Sequence, residues 1–74
     1  MTAVDIVFQC RMTPTERQMG ALDVAREVYG VRKIFFGEKE GTISIEYDIS
    51  RLTPADIAAL VHGAGIDAQL LVGD

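Results

Sequence analysis

At 74 residues, about half of them apolar, the chain has material for one small domain spanning residues 1–74 and for no large enclosed cavity. Its formal charge of −4 comes from eleven acids and seven bases scattered along the chain, without the basic cluster that phosphate backbones or anionic lipid require. Nucleic acid and membrane partners are therefore not expected; no apolar run nears the roughly 20 residues that span a bilayer, no signal-peptide pattern opens the chain, and one cysteine leaves no internal disulfide, all pointing to a cytoplasmic setting.

From Val4 to Met12 the even positions Val4, Ile6, Phe8, Cys10 and Met12 alternate with Asp5, Val7, Gln9 and Arg11, which predicts a first strand with its even side on a core. A helix follows over residues 14–29. Thr13 is its expected N-cap, Pro14 its first residue and Glu16 the partner reaching back to the cap. Met19, Ala21, Leu22, Val24, Ala25 and Val28 supply the apolar face, Gly20 would permit close helix contact, and Gly30 stops the helix.

Val31, Ile34 and Phe36 mark a second strand, Gly37 to Gly41 a hairpin turn, and Ile43, Ile45 and Tyr47 the inner side of a third strand, with Thr42, Ser44 and Glu46 outward. The polar stretch from Asp48 to Leu52 leads to a second helix over residues 54–64, capped by Thr53, with Asp56 favoured by the helix dipole and Ile57, Leu60, Val61 and Ala64 inward. Residues 66–72 form a last strand. The order strand, helix, strand, strand, helix, strand makes two split βαβ units. Right-handed crossovers place both helices on one face of a four-stranded antiparallel sheet, a ferredoxin-like α+β fold. Val7, Phe35 and Leu71 then lie on the uncovered face, the place for a homodimer contact.

With these elements in order, the chain resembles the heavy-metal-associated domains, the fold of small copper chaperones and of modules of metal-transporting ATPases. The resemblance is carried by Met12-Thr13, Gly30-Val31, Gly41 to Asp48 ending in Glu46-Tyr47-Asp48, Leu52-Thr53-Pro54 and Ala64-Gly65. It implies a Cys-x-x-Cys loop after the Met-Thr pair, whose two thiolates hold Cu(I) or another soft ion. Counted from Gly30-Val31, those positions fall on Pro14 and Arg17, and neither side chain binds a metal. Ile66 departs as well, being aliphatic where the family often carries a polar side chain near the metal.

The remaining chemistry is thin. Cys10, Met12 and His62 are weak metal candidates: the alternation puts the first two in the core, and the histidine stands alone near a helix end. Arg11, Thr13, Thr15 and Arg17 bring charge and hydroxyls to the first helix start, where a protein or an anion could be met; Phe35 offers an exposed ring elsewhere. No nucleophile with a base, carboxylate pair or glycine-rich cradle supports catalysis. The expectation is a non-enzymatic binding module with no cofactor and a degenerate metal loop, contacting a protein partner or an anion through Met12 to Arg17. The alternatives are metal handling through a non-standard site and a small regulatory ligand-binding domain.

Overall fold

The computed structural model describes residues 2–37 and 40–73, the last two by backbone alone. Its elements are β1 (Ala3–Cys10), α1 (Glu16–Asp23), a 3₁₀ turn (Val24–Glu27), β2 (Val31–Gly37), β3 (Thr42–Asp48), α2 (Pro54–Gly63) and β4 (Ala68–Gly73). All pairings are antiparallel in the order β2-β3-β1-β4, the ferredoxin-like arrangement expected. Within the hairpin turn anticipated between β2 and β3, Glu38 and Lys39 lie outside the described residues.

Ile6, Phe8 and Cys10 of β1, Ile34 of β2 and Ile43, Ile45 and Tyr47 of β3 share one core with Leu22, Ala25, Ile57, Val61 and Ile66. The period-two pattern is thus realised in the two central strands, where one sheet face is covered and the other is not. The alternation fails at one place. Met12 is 81% exposed instead of buried, because β1 ends at Cys10, whose partner Ala68 is the first residue of β4. Beyond that point no pleat remains to direct alternate side chains inward.

The first helix starts two residues later than the sequence suggests. Thr15, not Thr13, is the N-cap; its hydroxyl accepts from the Gln18 N–H while Gln18 Oε1 accepts from the Thr15 N–H. Pro14 then precedes the cap, and the helix winds into the 3₁₀ turn after Asp23 instead of running on to Tyr29. Gly20 meets no neighbour within 4 Å, so it serves no close helix contact. The second helix has a fuller start than expected: Thr53 and Asp56 form a reciprocal capping box, with Pro54 in the first turn.

Asp48 ends β3 as a buried carboxylate. Its Oδ1 accepts from the Ser50 hydroxyl at 2.7 Å and the Ser50 N–H at 3.0 Å, which holds its pKa below the ordinary carboxylate value. A carboxylate depressed in the folded state stabilises the fold above its unfolded pKa of about 4, and that contribution disappears as pH falls through the folded value. Urea melts below about pH 4 are therefore expected to lose stability with acid more steeply for the parent chain than for Asp48→Asn.

Candidate functional site

The loop after β1 and the turn between α2 and β4 meet at one end of the sheet. They enclose a shallow cleft of about 290 Å³ lined by Met12, Thr13, Thr15, Gln18, Gly65, Ile66 and Asp67. The hydrogen bonds explain why these segments lie together. Gln18, fixed by the capping box, donates from Nε2 to the Gly65 carbonyl at 2.7 Å and so fastens the first loop to the α2–β4 turn. Gly65 takes φ +82°, a left-handed conformation open to glycine, where it follows α2. Arg11 Nη1 stands 3.7 Å from Asp67 Oδ2, an exposed pair of small energetic weight.

Of the residues singled out from the sequence, Arg11, Met12, Thr13, Thr15 and Arg17 are all exposed on or beside this loop. Thr15 is occupied in capping. The Arg17 guanidinium has no hydrogen-bond or ion-pair partner among the described residues, and Pro14 is half-buried. Cys10 is only 6% exposed at the end of β1, and burial pushes its thiol pKa up, against the thiolate form that a soft metal needs. His62 lies exposed in the last turn of α2 with Nε2 3.3 Å from the Ala68 carbonyl oxygen. Phe35, 68% exposed, sits in a row with Ser44 and Val7 across the open sheet face, apart from the loop.

Gln18 and Asp67 were not among the residues singled out from the sequence, and Gly65 entered only as half of the Ala64-Gly65 pair. The signal for Gln18 was present, since Thr15-Glu16-Arg17-Gln18 is itself a capping box nested two residues behind the Thr13 to Glu16 one. The later box has a physical advantage. A glutamine amide both accepts and donates, so Gln18 closes the cap and also reaches Gly65, whereas the Glu16 carboxylate could only accept. Gln18→Ala removes both bonds and is expected to cost about 1–2 kcal/mol in chemical denaturation.

The donor set does not fit a soft metal ion in the usual way. The chain has one cysteine, it is buried, and among the described residues no group of three or more His, Cys, Asp or Glu side chains comes together. What the cleft presents is a thioether, two threonine hydroxyls and a carboxylate around a polar fastening.

No protein-family model matches the chain, and no curated protein matches it in sequence. Solved structures do match. A protein of Bacillus anthracis named for copper-ion binding is 25% identical, with 92% of this chain and 97% of that one covered and a TM-score of 0.77. The Cu(I)-loaded first domain of the human copper chaperone for SOD1 is 19% identical over the whole of both chains, with a TM-score of 0.78. The yeast copper transporter domain Ccc2a is 15% identical, with 96% and 99% covered and a TM-score of 0.79. The chain therefore has the βαββαβ fold that these solved domains share. That fold is specifically the one of the heavy-metal-associated domains, as the sequence resemblance implied.

Proposed function

We propose that this chain is a non-enzymatic binding module of heavy-metal-associated fold whose loop from Met12 to Arg17 contacts a protein partner without a metal ion between them. The observation that carries this is the Gln18 bond to Gly65: a protein side chain ties together the two segments that line the cleft. Met12 and Arg17 stand exposed beside it, an apolar thioether and a guanidinium with no partner among the described residues, suited to a partner with an apolar spot and a carboxylate. Pro14 and Arg17, at the positions the family resemblance gives to thiolates, remove the donors that would otherwise hold Cu(I). A yeast Atx1–Cu(I)–Ccc2a complex among the matching structures supports the idea that this fold meets protein partners. A cytoplasmic setting and a single domain over residues 1–74 complete the reading.

A second reading rests on the copper names of the neighbours and on the exposure of Met12. In it, Met12 offers its sulfur to Cu(I), with Cys10 or His62 or a second molecule completing the site. One titration separates the two. With Cu(I) supplied in reducing buffer against a competing chelator, the first reading expects the ion to stay with the chelator, and Arg17→Ala to lower capture of a partner from the host. Retention of Cu(I) that Met12→Leu or Cys10→Ser abolishes would establish the second reading and sink the first.

A further inference from the structure

Both open edges of the sheet meet a side chain from the helical layer. The phase of the ladders shows which backbone groups those edges present. Cys10 N–H donates to the Gly41 carbonyl, one step beyond the Gln9–Thr42 pair, so the even residues of β1 exchange hydrogen bonds with the odd residues of β3. Ile45 therefore directs its backbone groups toward Ile6, and Ile34, opposite Ile45 on the other side, turns its own N–H and carbonyl away from β3 to the open edge. Arg26 takes that carbonyl, its Nη2 donating to Ile34 O at 2.7 Å, while its Nε is held by Asp23 Oδ1.

The opposite edge is built in the same way. Arg11 N–H donates to Asp67 O, so Ala68, one residue on, faces its carbonyl away from β1. There His62 Nε2 lies 3.3 Å away; a carbonyl only accepts, so the ring faces it with an N–H. Each βαβ half thus sends one nitrogen donor to its own edge strand.

We infer that Arg26 and His62 close the two sheet edges to strand addition, and that β2 without Arg26 pairs with β2 of a second copy. The second copy is the occupant that β2 fits by its own sequence. Antiparallel pairing about Ile34 sets Lys33 opposite the partner's Phe35 on the open face, so a cation meets an aromatic ring and not a second cation. Val31 to Gly37 has two β-branched residues, two aromatics and no proline, a composition suited to strand pairing, and its two cations, Arg32 and Lys33, already weaken that tendency. One guanidinium bond on the central carbonyl interrupts that row of groups.

Sedimentation over a range of concentrations, with circular dichroism to verify the fold, tests this on the parent chain and on Arg26→Lys, Arg26→Ala and Arg26→Met. The parent and the lysine variant, which keeps a donor, are expected to remain monomeric. The alanine and methionine variants are expected to associate, with exchange of the Ile34 and Phe36 amides slowed about tenfold or more as concentration rises. Folded alanine and methionine variants that stay monomeric would overturn the inference. So would association that leaves those two amides unprotected, as contact through the open sheet face would. Loss of fold in both variants would equally overturn it, by making Arg26 a structural residue and not a guard.

Discussion

A Pro14→Cys/Arg17→Cys double variant is expected to hold one Cu(I) per chain against a chelator that strips the parent, a gain of orders of magnitude in affinity. Residue 14 lies just before the Thr15 cap and residue 17 in the first turn of α1, so the two side chains flank the helix N-terminus. Thiols there ionise more readily, because the free N–H groups and the helix dipole favour a negative charge. Two thiolates suit the linear coordination of a soft monovalent ion, whereas one leaves it exchangeable. Neither single variant should therefore resist the chelator. A folded double variant that also loses the ion would show that the register counted from Gly30-Val31 does not place the family's sulfur positions on residues 14 and 17.

The second large effect is on stability. Phe8→Ala is expected to cost about 3–5 kcal/mol, because the ring is fully buried on a central strand and its removal takes apolar contact from the core and leaves a cavity. A chain of this length has roughly 4–11 kcal/mol of stability in all. The variant should thus be largely unfolded, or close to it, at 37 °C. The contrasting substitution is Val24→Ala, at an exposed position, which should shift the urea midpoint by no more than about 0.5 kcal/mol equivalent. Comparable losses in the two would mean that the core is not packed as described.

These expectations divide between features legible in the chain and features that are not. Strand alternation at Ile6, Phe8 and Cys10 and at Ile43, Ile45 and Tyr47 reads directly as a one-sided sheet, because a period of two follows from the pleat itself. The Tyr47 hydroxyl goes inward with its ring, although it finds no hydrogen-bond partner among the described residues. The start of the first helix was legible as a region but not as a residue, whereas the second was legible to Thr53 itself. Thr13 and Thr15 both head acceptable capping boxes, and the choice went to the one whose third residue could also bond across the cleft to Gly65.

The chain by itself determined the order of elements, the inward side of β1 and β3 up to Cys10, and the want of a second sulfur donor of the cysteine kind. These are properties of local spacing and residue type, and they hold wherever the segments lie. Tertiary structure alone decided that Met12 leaves the core, that Gln18 fastens Gly65, and that Arg26 and His62 reach the edge carbonyls of Ile34 and Ala68. Each depends on where a strand stops or which way a backbone group turns once its neighbour is paired. Those are consequences of ladder phase and not of any residue's own preference.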